Sequence, residues 1–146
     1  MIIYRQISIH DPEYEQEKDL RNRVLRSPLG LVLSENDLRD EDRQVHLVAM
    51  DDRGHVIGCA LVFVHEKTAR IRQMAIEERY QKQGIGTELV KHAETAARAR
   101  NIFKVILHAR ISARRFYEQL GYTASEEVFT EVTIPHIAME KNLMPE

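Results

Sequence analysis

The sequence predicts an α+β protein, a mixed β-sheet flanked by α-helices, in one domain over residues 1–146. Three observations predict it. A chain of 146 residues is the length of one ordinary domain and can bury roughly two thirds of its unfolded surface without a disulfide or metal. Strand-like and helix-like segments follow one another in the order β-α-β-β-β-α-β-α-β-β. Two β-α-β passages, from strand 70–76 to strand 104–109 and onward, call for helices packed on a sheet that contains parallel pairing.

Each element has its own signal. Residues 2–9 are β-rich. "DPEYEQEKDLRNRVLR" reads as a helix, with Asp11 as N-cap, Pro12 as first helical residue, and Leu20, Val24 and Leu25 on its apolar face. "SPLGL" ends it, because Pro28 restricts Ser27 and Gly30 accepts unusual dihedrals. The polar "SENDLRDEDRQ" reads as a loop. "VHLVAM" and "HVIGCALVFVH" are strands around the turn "DDRG", and "ARIRQMAI" is a third. After "QKQGIG", apolar residues at Ile85, Leu89, Val90, Ala93, Ala96 and Ala97 trace a helical stripe. "FKVILHA" is a buried strand, and "SARRFYEQL" is a short helix stopped by Gly121. "VFTEVT" and "HIAMEK" close the chain as strands.

Composition excludes several function classes. The net charge is -2 with acids and bases interspersed, so nothing favours nucleic acid as a partner. No apolar run approaches the ~20 residues of a membrane span, and "MIIYRQISIHD" is too short and polar for a signal peptide. The lone Cys59 lies in an apolar strand and reads as core. The expectation is a cytoplasmic protein without a metal.

The turn before the long helix carries the chemistry. A strand entering a helix through glycines exposes backbone N–H groups that have no intrahelical acceptor. With the helix dipole they form an anion site, and Gly84 and Gly86 let a phosphate approach the backbone. The stretch lacks G-x-x-x-x-G-K-[ST] and the first glycine of G-x-G-x-x-G, so neither a P-loop nor a dinucleotide fingerprint explains it. Tight packing is the alternative use of the same glycines.

"Q-x-x-G-x-G" after "MAI", followed one strand later by "A-x-x-F-Y-E-x-L-G-Y", resembles the GNAT superfamily of N-acetyltransferases over about residues 44–141. "RNRVLRSPLGL" and "IPHIAM" resemble a small bacterial branch of it. The resemblance implies a splayed sheet and acetyl-CoA as cosubstrate, with an amine of a small molecule or peptide as acceptor. The pyrophosphate would sit on backbone N–H groups of Gln81, Lys82, Gln83, Gly84, Ile85, Gly86 and Thr87. The pantetheine arm would pair like a strand with Met74, Ala75 and Ile76. Transfer would be direct, in a ternary complex, since no covalent nucleophile stands out.

By the same resemblance Tyr117 faces the CoA sulfur as the acid, and the Ile76 N–H is a candidate oxyanion donor. The family's glutamate on strand "ARIRQM" is replaced by Arg70 and Arg72, which leaves the base open among His136, Glu131, His108 and water. His136, at the start of the last strand, is the first choice. Arg110 stands where relatives carry an asparagine that touches the pantetheine. Lys82 and Arg114 are candidates for the CoA phosphates or for plain solvation. Arg23 and Arg26, three apart, share a helix face toward an acidic acceptor group, whereas the acidic loop Glu35–Asp42 argues for a cationic one. A non-catalytic acyl-CoA sensor is the alternative function. Exposed strands near the C-terminus leave room for a homodimer.

Overall fold

The computed structural model describes residues 1–145. Seven strands form one sheet: β1 (Ile3–Ile7), β2 (Val45–Met50), β3 (Val56–His65), β4 (Thr68–Ile76), β5 (Lys104–Arg110), β6 (Thr123–Glu131) and β7 (Ile134–Asn142). Their spatial order is β1-β2-β3-β4-β5-β7-β6, antiparallel except for the parallel β4–β5 pair. The helices are α1 (Glu13–Arg21), α2 (Ile85–Arg98) and α3 (Arg114–Gln119). The elements come in the order the sequence predicts.

Alternation along the central strands divides the core in two. Val45, Leu47 and Ala49 of β2 point to a cluster that takes in α2, through Leu89, Val90, Ala93 and Ala97. Val48 and Met50 point to the opposite face, where Leu20 of α1 covers Cys59 and Ala75. Gly58 of β3 lets α2 lie close. A Cβ there would come within 3.2 Å of Ile76 Cδ1 and Ile85 Cγ2. That approach brings the start of α2 beside the end of β4.

Three local readings need correction. Asp11 does not cap α1; Pro12 holds that position, and the Asp11 carboxylate accepts the Ser8 backbone N–H at 2.8 Å instead. Pro28 does not end the helix. The chain runs from α1 through a π turn (Asn22–Arg26) and a 3-10 turn (Ser27–Leu29) to left-handed Gly30. Proline early in a helical turn removes only an N–H that would have had no partner. Strand β6 starts earlier than "VFTEVT", at Thr123, and stops at Glu131. Val132 and Thr133 are the two-residue hairpin turn, with φ of 44° and 71°.

A buried ionic cluster ties α1 to the sheet. The Arg21 guanidinium donates to Glu17 (3.1 Å) and to both oxygens of Glu41, and the Tyr14 hydroxyl donates to Glu41 at 2.7 Å. His46 meets the Glu17 carboxylate through Nδ1 (3.0 Å) and the Glu41 carbonyl through Nε2 (2.7 Å). Two acceptors require two N–H donors, so the ring is an imidazolium. Burial opposes that charge, but the Glu17 carboxylate outweighs it and raises the pKa above the ordinary 6.5. Glu17, Glu41 and His46 have the chemistry of metal ligands, yet the Arg21 guanidinium already occupies the cation's place.

Candidate active site

The same arginine reaches the edge where the sheet opens. Arg21 Nε donates to the Gln73 side-chain oxygen at 3.2 Å. Gln73 has φ of 53° and is the extra residue of a β-bulge: β4 takes three steps from Arg72 to Ala75 while β3 takes two from Leu61 to Cys59. A bulge bends its strand. Pairing of β4 with β5 accordingly stops at Ile71↔Leu107, and among the described residues Arg72 to Ile76 have no strand partner on that side. Glu77 N–H donates to Ile57 on the β3 side at 2.8 Å. Successive N–H groups alternate, so those of Met74 and Ile76 point into the gap. Gln81 Nε2 already caps the Ile76 carbonyl at 3.0 Å.

The gap is the middle of a cavity of about 910 Å³. The start of α2 forms one wall. Left-handed Gly84 (φ 85°) is its N-cap, and no side chain caps it. The first helical bond to the turn runs from Glu88 N–H to the Gly84 carbonyl. The N–H groups of Ile85, Gly86 and Thr87 therefore have no acceptor among the described residues. The two glycines differ in role. A Cβ on Gly84 would meet nothing within 4 Å, whereas one on Gly86 would come within 3.2 Å of Phe116, so Gly86 serves packing.

Met74, Ala75, Ile76, Gln81, Lys82, Gly84, Ile85, Gly86, Thr87, Tyr117 and His136 all line this cavity. Gln83 does not; its side chain turns back to the Arg79 carbonyl at 3.0 Å. The Gln81 N–H is also engaged, by the Glu78 carbonyl at 3.2 Å, so it is not a free donor for a phosphate. Arg114 faces Glu118 at 3.2 Å on the surface and away from the cavity.

Tyr117 is only 7% exposed, packed edge-on against Phe116 and Tyr122. Its hydroxyl has no protein partner among the described residues and is not sealed from solvent, so it opens on the cavity. Burial pushes its pKa up to about 12.

Opposite lies a cluster from four strands. His108 Nδ1 is 2.9 Å from Glu131 Oε1 and 2.9 Å from Arg70 Nη2. His136, 4% exposed, has Nδ1 3.0 Å from the Ile134 carbonyl. That carbonyl can only accept, which fixes a proton on Nδ1, so that in the neutral ring Nε2 is the nitrogen with the lone pair. Nε2 is 3.9 Å from Glu131 Oε2, too far for a hydrogen bond but close enough to feel the charge. Phe129 stacks on His136.

Arg23 and Arg26 do not act as a pair. The π turn that carries them breaks the three-residue register. Arg23 binds Asp19 and Glu77 outside the cavity, while Arg26 lines it with its fork on Asp37 (2.9 and 3.2 Å). Nor does the acidic loop offer the cavity a free carboxylate: Asp37, which lines it, is taken by Arg26, Glu41 is taken by Arg21, and the exposed Glu35 and Asp42 do not line it. Sequence reasoning left Arg72 without a role, although alternation in "RIR" puts it on the same face as Arg70. Arg110 also lines the cavity and donates to the Leu25 carbonyl at 3.0 Å. Cys59 is buried behind β4 with its thiol pKa pushed well up, which removes it as a nucleophile.

Known proteins share both the pattern and the fold. A family model described as "Acetyltransferase (GNAT) domain" matches residues 26–143. An uncharacterized Bacillus subtilis protein, YyaT, is 31% identical over 109 residues, 75% of this chain and 72% of its own. Three further curated relatives are matched over 30% to 58% of their length. The crystal structure of an acyl-CoA N-acyltransferase from Pseudomonas aeruginosa superposes with a TM-score of 0.82 at 23% identity, covering 97% of this chain and 99% of its own. An aminoglycoside 6'-N-acetyltransferase complexed with coenzyme A does so at 0.80 and 17%, covering 99% and 98%. At these identities the two structures establish the fold alone. The family match, which spans most of the chain, carries the assignment: the chain belongs to the GNAT family of acetyltransferases.

Proposed function

We propose that the protein transfers the acetyl group of acetyl-CoA to a primary amine by direct attack in a ternary complex. Acetyl-CoA is the donor the GNAT family uses. One observation carries the reading: the unpaired edge of β4, the uncapped start of α2 and the Tyr117 hydroxyl meet in one cavity. The N–H groups of Ile85, Gly86 and Thr87, with Lys82 beside them, suit a pyrophosphate. Met74 and Ile76 suit an extended amide-bearing arm, added as a strand.

The chemistry then follows from the groups at hand. The amine nitrogen attacks the thioester carbon, and the Ile76 N–H donates to the resulting oxyanion. The ammonium proton passes to His136 Nε2, and Glu131 offsets the charge formed there. When the C–S bond breaks, the electron pair stays on sulfur. A phenol with a pKa near 12 does not readily surrender its proton to a thiolate, whose own pKa is about 8.5. Tyr117 acts instead by donating a hydrogen bond to that thiolate. The products are an N-acetylated amine and CoA.

Two variants test these roles, with acetyl transfer to a panel of primary amines as the assay. Tyr117→Phe should lower kcat by roughly 10- to 100-fold, the worth of a hydrogen bond to a charged group. Unchanged kcat would remove the hydroxyl from the reaction. His136→Gln should lower kcat by about 100-fold, and Glu131→Gln by less, because Glu131 only offsets charge. A larger loss in Glu131→Gln would make the carboxylate the base. A protein that binds acetyl-CoA but acetylates none of the panel would favour the sensor reading.

A further inference from the structure

Two arginines in the cavity, Arg72 and Arg110, form no ion pair among the described residues. Arg72 donates from Nη1 to the neutral Gln44 side-chain oxygen at 2.9 Å, and Arg110 donates to the Leu25 carbonyl at 3.0 Å. Among the described residues neither has a carboxylate within ion-pair distance. Both are half-buried. The same wall holds Arg26 and Arg70 against two carboxylates, Asp37 and Glu131, in a chain whose net charge is -2. Arg26 fully engages Asp37, and Glu131 is shared with His108. Desolvating a guanidinium without a partner is unfavourable, and its planar fork matches an oxyanion.

The CoA phosphates do not explain this charge. Arg72 lies before Ile76 on β4 by about 10 Å, three strand steps once the bulge at Gln73 is counted, and the α2 turn lies beyond Ile76. Arg110 is held to the segment after α1, not to the α2 turn, and sits in register with His136 of β7.

We infer that the acceptor is an amine that also carries an oxyanion group, a carboxylate or a phosphonate-type anion, bound by Arg72 and Arg110 while its amine faces His136. The inference rests on the acetyl-transfer reading for the amine, but the anion site stands on its own geometry.

The test is calorimetric titration of CoA-saturated protein with four matched amines: β-alanine, 2-aminoethylphosphonate, β-alaninamide and ethylenediamine. At least one anionic amine should bind about tenfold or more tightly than the amide and the diamine, and the order of the two acids identifies the anion. Arg110→Gln should erase most of that ratio. Arg72→Lys, which keeps the charge but loses the fork, should shrink it, with circular dichroism confirming the fold. Amide or diamine binding as tightly as both acids overturns the inference. So does an acid preference that survives both substitutions, or no binding of either acid at about 10 mM. Failure of CoA to bind would count against the acetyl-transfer reading, and the acid-to-amide ratio on unliganded protein would still decide the anion site.

Discussion

Arg21→Met should destabilise the protein by about 3–5 kcal/mol, a large part of the roughly 5–15 kcal/mol that holds a domain together. Arg21 is fully buried and is the one guanidinium facing both Glu17 and Glu41. Its removal leaves two carboxylates against a single His46 imidazolium, so one negative charge stays buried without a partner. Methionine fills the volume but neutralises nothing. The cost reaches the site as well, because Arg21 Nε also holds Gln73 at the bulge where β4 leaves β5. Urea denaturation followed by circular dichroism measures the loss. If Arg21→Met does not accumulate folded, Tyr14→Phe removes only the hydroxyl donated to Glu41 and should cost about 1–2 kcal/mol. A change below 1 kcal/mol for Arg21→Met would mean that the cluster does not hold the fold.

The second large effect is on ligand binding. Gly84→Asp should weaken acetyl-CoA affinity at least 100-fold while the protein stays folded. A Cβ at Gly84 has open space, and aspartate is among the residues that tolerate a left-handed conformation. Aspartate also suits a helix N-cap, so the new side chain can accept the α2 N–H groups itself. In doing so it fills the anion site and repels a pyrophosphate.

These two predictions differ in how far the sequence reveals them. The turn "QKQGIG" is local: glycine spacing and the apolar stripe from Ile85 to Ala97 suffice to find an uncapped helix start. Element order was legible for the same reason, since period and turn chemistry act within ten or so residues. The ionic cluster is not local. Arg21 meets Glu41 and Gln73 across 20 and 52 positions, and no spacing rule links them. The bulge at Gln73 sits at the end of one such long-range tie, and the π turn at Asn22–Arg26 follows directly after Arg21. Reading Arg23 and Arg26 as one helix face failed there, because the π turn changes the angle between them. Gln81 and Gln83 illustrate the finer limit. Both sit in the right turn, yet their hydrogen bonds to Glu78 and Arg79 are set by a short 3-10 turn just before it.

Calorimetric titration of wild-type and Gly84→Asp protein with acetyl-CoA, with ATP as control, tests the central claim most directly. The account predicts saturable one-to-one binding to the wild type, at least 100-fold weaker binding to Gly84→Asp, and no comparable binding of ATP. Folded wild-type protein that fails to bind acetyl-CoA, or a Gly84→Asp variant that binds it as well as the wild type, would contradict it.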